Sequence, residues 1–494
     1  MSYYAIGIGG TGAKCLEALI HLCAAGLMPD NKNLHLLFVD SDRSNGNGTR
    51  TGNLLKCYQD CRTNYVGGEN LFKTAIPPLN QDADKNGSNS WSPTEIGINL
   101  ETFVGRNRLP TEFGYLFDTL FSPNEAKTVL NEGFRGRPSI GSAVMAHAVD
   151  LDTTDPWKSL KSRMKADTGE GRSPKVMIFG SIFGGTGASG FPTISRLLHN
   201  WAEGFDENPL QIGGTLLLPY FSFDGGKISD DELHVKSDDF VLNTQGALKY
   251  YHQQNFHEIM NVIYLLGADE QREMPSVSIG GGEQENPPHW LELCAALAAV
   301  DFYSKDNSKQ HTYKLLARQK PGNLEWSDLP HASVKRDLLQ LARFSFAYLS
   351  TYYPMLKDIE TSGKKHKAAW YVNFFHYKNI NLSSRFEHEL EHIKTYCEKY
   401  LLWLANIQFY VTGVEQGTKD LIDYSSFAYF SGNRLHLRDK FDLSGFEYIL
   451  PSDMVRGKNN LDNLWEKMSD ERPPRDSNQN AWAFINTLYR QSGR

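Results

Sequence analysis

A chain of 494 residues is too long for one hydrophobic core, so two or three domains are expected. Its composition, 40% hydrophobic and 22% charged, is that of a globular protein, and a net charge of −7 gives no reason to expect nucleic-acid binding. No apolar run is long enough to cross a bilayer, and six cysteines are too few for a disulfide framework. Because the N-terminus also lacks a signal-peptide pattern, we expect a cytoplasmic protein.

The first strand–turn–helix unit begins almost at the N-terminus. An apolar run at residues 3–8 leads into the turn Gly-Gly-Thr-Gly at 9–12, and an amphipathic helix is predicted over 13–26. A second buried-type strand is predicted at residues 34–39. Residues 44–90 are polar and rich in Gly and Asn, which predicts a long surface excursion.

A second unit of the same kind lies downstream. Residues 175–202 contain an apolar strand, a glycine-rich turn at 184–190 and a helix. The pattern also predicts helices at 112–120, 125–131, 142–150 and 238–254, and strands at 213–219 and 262–266. This alternation predicts an α/β fold with a doubly wound, mostly parallel sheet.

The two glycine turns are the strongest functional signal. In each, a helix begins directly after the turn, so free backbone N–H groups and the helix dipole favour an anion there. The carboxyl ends of parallel strands meet at one edge of a sheet, which predicts that one nucleotide is held from both sides. Two alternatives remain: glycines that only permit tight corners, and a dinucleotide site, since Gly7, Gly9 and Gly12 fit G-x-G-x-x-G.

Beyond about residue 288 the pattern becomes helical and rich in aromatic residues. Helices are predicted at 290–303, 334–353, 384–407 and 481–490. We therefore expect a nucleotide-binding domain at residues 1–237, a central helix at 238–255 and a largely helical C-terminal domain at 256–494.

An ordered series of motifs resembles the tubulin and FtsZ superfamily, and the bacterial tubulin-like proteins in particular. The motifs are the two glycine turns, Asp40-Ser41-Asp42, the stretch from Leu218 to Gly225, the stretch from Leu242 to Leu248, and Asn286-Pro287-Pro288-His289. All but the last lie within residues 1–255.

The resemblance implies binding of GTP or GDP with Mg²⁺. Asp40 and Asp42, at the carboxyl end of a strand, suit a magnesium ion or a water network beside phosphate; the alternative is that they only form the turn. Arg135 and Arg137 lie in a third turn, residues 135–141, which resembles the γ-phosphate loop of the family; the alternative is that they are surface arginines. Asn243 would read the guanine edge. The residues expected to contact the nucleotide are Gly9, Gly10, Thr11, Gly12, Asp40, Asp42, Gly136, Arg137, Gly141, Gly184, Gly185, Thr186, Gly187, Ala188, Ser189, Gly190, Asp224 and Asn243.

The chain differs from the family in the region that supplies the acidic residue for GTP hydrolysis. In tubulin and FtsZ, an acidic residue in a loop after the central helix activates water across a subunit interface. Here that region offers only Glu258, and Glu283, Glu285 and Glu292 follow further on. GTP binding is therefore implied more strongly than hydrolysis, and the catalytic residues are unknown.

The resemblance implies a nucleotide-dependent switch or a self-assembling, filament-forming scaffold, with further protein partners from the same system. Three other classes stay open: an NAD(P)-dependent oxidoreductase, a non-hydrolysing interaction module and a zinc peptidase. The last rests on His388, Glu389 and His392, which form H-E-x-x-H in a highly charged stretch with no evident third ligand.

Overall fold

The computed structural model describes residues 2–30, 32–63, 70–79, 89–134, 136–202, 208–223, 237–268, 272–274, 281–282, 284–309, 311–316, 326–330, 332–363, 366–378, 380, 382, 389–412, 424–432, 434–449, 460–473 and 481–493. Among the residues predicted to have a functional role, Arg135, Asp224, Glu283 and His388 lie outside these ranges.

Strands alternate with helices through the first two thirds of the chain. The strands are β1 Ser2–Ile8, β2 Asn33–Val39, β3 Ser90–Trp91, β4 Asn131–Phe134, β5 Lys175–Ser181, β6 Gln211–Leu217, β7 Phe221–Phe223, β8 Val262–Leu266, β9 Arg272–Met274, β10 Thr312–Leu316, β11 Ala428–Ser431 and β12 Arg434–Leu437. Their flanking helices are α1 Gly9–Ala24, α2 Gly46–Arg62, α3 Leu100–Val104, α4 Thr111–Leu120, α5 Pro123–Ala126, α6 Pro138–Ala148, α7 Trp157–Gly169, α8 Gly185–Ala202, α9 Ser237–Gln253, α10 Phe256–Ile259 and α11 Trp290–Ser304.

The later helices dominate the C-terminal half. They are α12 Ala332–Ala347, α13 Tyr353–Ser362, α14 Ala369–Tyr371, α15 Glu391–Thr412, α16 Leu461–Asp470 and α17 Trp482–Ser492. Two single π-helical turns, Tyr348–Tyr352 and Val372–His376, continue α12 and α14.

Seven parallel strands form the main sheet of the described residues, in the order β3-β2-β1-β5-β6-β8-β10. The order changes direction between β1 and β5, the two strands that precede the glycine turns. Ligands of open α/β sheets bind at such a switch point, outside the carboxyl ends of the strands. The predicted class, a doubly wound parallel sheet followed by a largely helical half, is confirmed.

Burial explains why the central strands read as continuous apolar runs. Every residue of β5 and β6 is buried, as expected for inner strands of a parallel sheet covered by helices. Helix α1 is buried along nearly its whole length because α2 and α11 pack against it as well as the sheet. Polar residues of α1, among them Lys14, Glu17 and His21, are therefore buried too.

The predicted surface excursion at 44–90 is wrong for its first part, where α2 forms. Glycines at 46, 48 and 52 and a weak apolar periodicity hide this helix in the sequence. Two features compensate for the weak periodicity. The Asn45 side chain accepts hydrogen bonds from Asn47 N and Gly48 N at the N-terminus, and Leu54 and Tyr58 are buried in the core.

The predicted helix at 125–131 is also wrong. Helix α5 ends at Ala126, because the following backbone pairs with another segment: Leu100 N donates to Thr128 O, and Leu130 N donates to Ile98 O. On α9, Leu242 and Leu248 are 66% and 38% exposed. Phe240 and Tyr251 of the same helix are buried.

The sheet extends past the predicted boundary of the nucleotide-binding domain. Strands β8 and β10 come from the predicted C-terminal domain and continue the sheet beyond β6. The sequence pattern did not predict β10. Residues 1–237 therefore supply only part of the main sheet, and the three-part division remains a prediction.

None of the described helices is both long and apolar enough to cross a membrane. All six cysteines are free thiols, and all are buried.

Candidate functional site

The two glycine turns are in direct contact at the carboxyl edge of the sheet. The register pairs Ile8 with Val39 and Gly7 with Phe179, so the ends of β1, β2 and β5 lie side by side. Gly9 has a φ of +70°, and a Cβ atom built on it would lie 3.3 Å from the Cβ of Thr186. This conformation and this close approach both favour glycine at position 9.

A third turn completes the group. A Cβ atom on Gly185 would lie 3.1 Å from Gly136 N and 3.2 Å from Arg137 N. Gly141 packs in the same way against the side chain of Ser189. The predicted γ-phosphate turn at 136–141 therefore lies against the second glycine turn. The structure brings together all three turns that the sequence had singled out.

Three helices begin at these turns, of which the first lies against the second and the second against the third. Helices α1, α6 and α8 start at Gly9, Pro138 and Gly185, and none has an acidic residue in its first turn. Neither α1 nor α6 has a side-chain cap. Unpaired N–H groups and aligned helix dipoles make such a place favourable for an anion.

The carboxylate of Asp40 lies at the edge of these turns. Thr186 Oγ1 approaches Asp40 Oδ1 at 3.5 Å, and Asp42 N donates to Asp40 Oδ1 at 3.2 Å. Burial raises the pKa of the Asp40 carboxyl to about 7, and the nearby Asp42 carboxylate also acts to raise it. Both carboxylate oxygens of Asp42 already accept hydrogen bonds, one from Ser44 N and the other from Gly281 N.

A segment from the C-terminal half closes the N-terminus of α2. We call residues 281–286 the strap; its residue 283 lies outside the described ranges. Gly46 N donates to Gly281 O, and Asn47 N donates to Gln284 O, each at 3.2 Å. The strap carbonyls thus occupy N–H groups of α2 that an anion would otherwise use. The N-terminus of α2 therefore has both side-chain and backbone hydrogen-bond partners.

Side chains strengthen the contact between strap and α2. Asn45 Nδ2 donates to Gln284 Oε1 at 2.7 Å, and Asn286 N donates to Asn47 Oδ1 at 2.9 Å. A Cβ atom on Gly10 would lie 3.1 Å from Asn47 Nδ2, so this network borders the first glycine turn. Sequence reasoning missed these two asparagines, because their region was assigned to a loop.

A buried ion pair lies behind the first glycine turn. Lys14 Nζ pairs with Glu292 of α11 and lies 5.3 Å from the centre of the Tyr220 ring. The Tyr220 hydroxyl donates to Glu292 Oε1 at 2.5 Å, and His289 N donates to Glu292 Oε2 at 2.8 Å. The signal in the sequence was Lys14, two residues after the turn, and Asn-Pro-Pro-His before α11.

Arg137 is held by a carboxylate in this structure. Its guanidinium forms an ion pair with Glu125 of α5, and both side chains are partly buried. The predicted contact of Arg137 with a γ-phosphate remains a prediction. Glu125 was not singled out in the sequence.

Asn243 of α9 lies close to the second and third turns. Its Nδ2 atom is 3.3 Å from Gly136 O and 3.4 Å from Phe183 O, and both carbonyls accept from it. Asn243, whose amide is predicted to read the base, therefore lies beside the second and third turns. Recognition of a base by this amide remains a prediction.

The remaining acidic residues have other partners or are exposed. Glu258 is 68% exposed at the side chain, Glu285 lies 3.8 Å from Arg50, and Glu292 pairs with Lys14. These partners give none of the three carboxylates a catalytic role, so the catalytic residues remain unknown.

The described part of the chain contains no group of three or more His, Cys, Asp or Glu suited to a metal ion. From the H-E-x-x-H stretch, Glu389 is buried, and its Oε2 accepts a hydrogen bond from Ala481 N at 2.8 Å. Ala481 is the N-cap of α17, so this carboxylate has a structural role at a helix N-terminus.

The geometry brings three helix N-termini together at the switch point of a parallel sheet, an arrangement that favours an anion, and we call this group of turns the cradle. No protein-family model matches the sequence, and no curated protein matches it. The chain is similar to the solved structure of CetZ2 from Haloferax volcanii, described as a GTPγS-bound protofilament, at 13% identity and a TM-score of 0.28. That match covers 62% of this chain and 58% of the other.

A second similar structure is CetZ from Methanosaeta thermophila, at 11% identity and a TM-score of 0.26. That match covers 54% of this chain and 46% of the other. The chain thus spans less than two thirds of either protein. At these TM-scores the similarity supports no functional argument, and the function must be inferred from the residues of the site.

Proposed function

We propose that this chain binds a guanine nucleotide with Mg²⁺ at the three glycine turns and acts as a nucleotide-dependent switch or self-assembling scaffold. The observation that supports it best is the meeting of the N-termini of α1, α6 and α8 with no acidic residue in their first turns. Several phosphates carry enough negative charge to use all three helix ends at once.

The residues present fit a magnesium ion bound mainly through phosphate. Mg²⁺ prefers oxygen ligands and is usually held by one or two carboxylates together with substrate phosphates. The Asp40 carboxylate and the Thr186 hydroxyl, 3.5 Å apart beside the turns, are the groups that would hold it. When bound, the ion would neutralise part of the phosphate charge. Asp40 would have to be ionised in that state.

Guanine specificity rests on the sequence resemblance and on Asn243. An amide can pair with both the N–H and the carbonyl of the guanine edge. Two backbone carbonyls already accept from Asn243 Nδ2, so the proposal requires this amide to exchange partners when the base binds. Hydrolysis and self-assembly are further parts of the proposal, and hydrolysis would need a residue from an adjoining subunit.

A dinucleotide oxidoreductase accounts for less of the geometry. It would explain the first glycine turn and the position of Asp40 after β2. It gives no role to the second and third turns, although the second packs directly against the first and the third against the second. Binding of NAD⁺ in the test below would favour the oxidoreductase.

The test is ligand binding by the wild type and by Thr186→Val, measured by thermal unfolding and by calorimetric titration. GTP, GDP, ATP and NAD⁺ are each added with Mg²⁺. A ligand that binds the native state raises the melting temperature by mass action. We expect stabilisation by GTP and GDP. In Thr186→Val, which keeps the side-chain shape but loses the hydroxyl, affinity should fall by about tenfold or more.

Thr193→Val is the matched control. Thr193 lies two turns further along α8, and its hydroxyl donates to the backbone oxygen of Ser189 at 2.9 Å, a bond within the helix that does not involve Asp40. This variant should bind as the wild type does. Substituting Gly187 would be a poorer test, because a Cβ atom there would lie 2.6 Å from Ser181 O and disturb the fold. Stabilisation by NAD⁺ alone, or by no nucleotide, would refute the proposal.

A further inference from the structure

Arg137 and Glu125 form an ion pair at the outer rim of the cradle. Arg137 is the residue before α6, and its backbone N lies against Gly185 of the second turn. Its guanidinium nevertheless points to Glu125 of α5. The side chains are 33% and 17% exposed, so the pair is screened less than a surface pair.

The carboxylate of Glu125 is fixed independently of Arg137. Glu125 Oε2 accepts hydrogen bonds from Ser122 N and Ser122 Oγ, each at 2.8 Å, while Glu125 N donates to Ser122 Oγ. These bonds form a capping box at the start of α5. Only Oε1 faces Arg137. Burial alone would raise the pKa of Glu125, but the bonds from Ser122 and Arg137 lower it below its usual value. The capping box therefore holds Glu125 in place independently of Arg137.

We infer that Glu125 is an internal competitor for Arg137, and that it lowers the preference of the site for nucleoside triphosphates over diphosphates. This inference rests on the proposed function. Arginine binds carboxylate and phosphate with the same planar, two-pronged geometry. A terminal phosphate beside the third turn can therefore take Arg137 from Glu125. A diphosphate, which ends one phosphate short, leaves the ion pair intact.

The exchange gives the third turn two states. In one, Arg137 ties the start of α6 to α5. In the other, it is bound to the ligand and α5 loses that tie. Helix α4, which ends shortly before α5 begins, has the exposed apolar side chains Phe113, Leu116 and Leu120. The segment that changes its contacts is thus next to an apolar surface.

The test compares the affinities for GTPγS and GDP, both with Mg²⁺, by calorimetric titration of the full chain. Glu125→Gln removes the competing charge but keeps the capping box, which accepts Gln as well as Glu. Its affinity for GTPγS should rise by about threefold to tenfold, with that for GDP unchanged. Arg137→Gln should lower the GTPγS affinity towards that of GDP.

Asp118→Asn is the control variant. Asp118 forms an ion pair with Arg106. Both residues lie between β3 and β5, as Glu125 and Arg137 do, so this change removes an equal charge without touching Arg137. Its ratio of the two affinities should match that of the wild type. If Glu125→Gln leaves the ratio unchanged, or Asp118→Asn changes it equally, the inference fails while the proposed function stands. If the wild type binds neither nucleotide, both fail.

Discussion

Lys14 and Glu292 form an ion pair almost sealed from solvent, with side chains 1% and 2% exposed. One lies on the helix that follows the first glycine turn, and the other lies on α11 in the C-terminal half. Because Glu292 also accepts from Tyr220 and from the backbone of His289, several segments depend on one carboxylate. The position of the first turn is therefore coupled to residues far along the chain.

We expect Lys14→Met to destabilise the protein by about 3 to 5 kcal/mol, because it leaves the Glu292 charge buried and unpaired. Urea unfolding of the single variants and of Lys14→Met/Glu292→Gln measures the coupling. The double variant should lose less stability than the sum of the two single variants. Strict additivity would mean that the two side chains do not interact as the structure indicates.

Asp40 should make stability depend on pH. Its folded-state pKa of about 7 lies above the unfolded value of about 3.9, so the native state binds the extra proton. The contribution of Asp40 is therefore fully present below about pH 4 and is lost as the pH rises through 7. In Asp40→Asn this loss should be absent, leaving the variant more stable at pH 8 by roughly 1 to 3 kcal/mol.

The measurement for Asp40 is the difference in unfolding free energy between wild type and Asp40→Asn across neutral and mildly acidic pH, which removes the contributions of other groups. A difference that does not vary with pH would contradict the raised pKa. If Asp40 also holds Mg²⁺ with the nucleotide, the nucleotide affinity of the wild type should increase as the pH rises through 7, because the carboxylate must be ionised to bind the metal ion.

The strap can be tested with two identical substitutions on α2. A Cβ atom on Gly46 would lie 2.6 Å from Gly282 O and 2.9 Å from the Cβ of Glu285, so Gly46→Ala should push the strap away. We expect a loss of about 1 to 3 kcal/mol and faster hydrogen exchange at Asn47 N. A Cβ atom on Gly52 meets nothing within 4 Å, so Gly52→Ala should stabilise by about 0.5 to 1 kcal/mol. Equal effects of the two changes would contradict this packing.

Glu389 should act as a structural carboxylate. Glu389→Ala removes the acceptor for Ala481 N and should weaken the N-terminus of α17, with a loss of about 1 to 2 kcal/mol. Glu389→Gln keeps an acceptor and should lose less. Hydrogen exchange over residues 482–485 reports the change. A zinc peptidase would instead lose a peptidase activity in Glu389→Gln at unchanged stability.

The sequence was most informative where local chemistry decides the structure. Apolar runs that end in glycine turns predicted β1, β5 and the helices after them, because a strand, a turn and a helix N-terminus each leave a mark within a few residues. Strand β8 was predicted at its observed bounds, residues 262–266. The meeting of the turns then agrees with the geometry of a parallel sheet.

The sequence was least informative where distant segments supply the stability. Helix α2 has weak periodicity, and its N-terminus is completed by backbone carbonyls of the strap. Strand β10 forms an edge of the sheet with Tyr313 and Leu315 exposed, so it lacks the pattern of a buried strand. The pairing of Arg137 with Glu125 depends on the fold of the excursion between β3 and β5, which no local pattern encodes.

The strap also has a consequence for folding during synthesis on the ribosome. Backbone N–H groups at the N-terminus of α2 are bonded by residues 281–286, and Lys14 pairs with Glu292. While only the first half has been synthesised, these groups stay without those partners, and β6 still awaits β8. The contacts that support the first glycine turn are therefore completed only after α11 has left the exit tunnel, so a nascent chain released before that point would present the glycine turns without the strap and without the partner of Lys14.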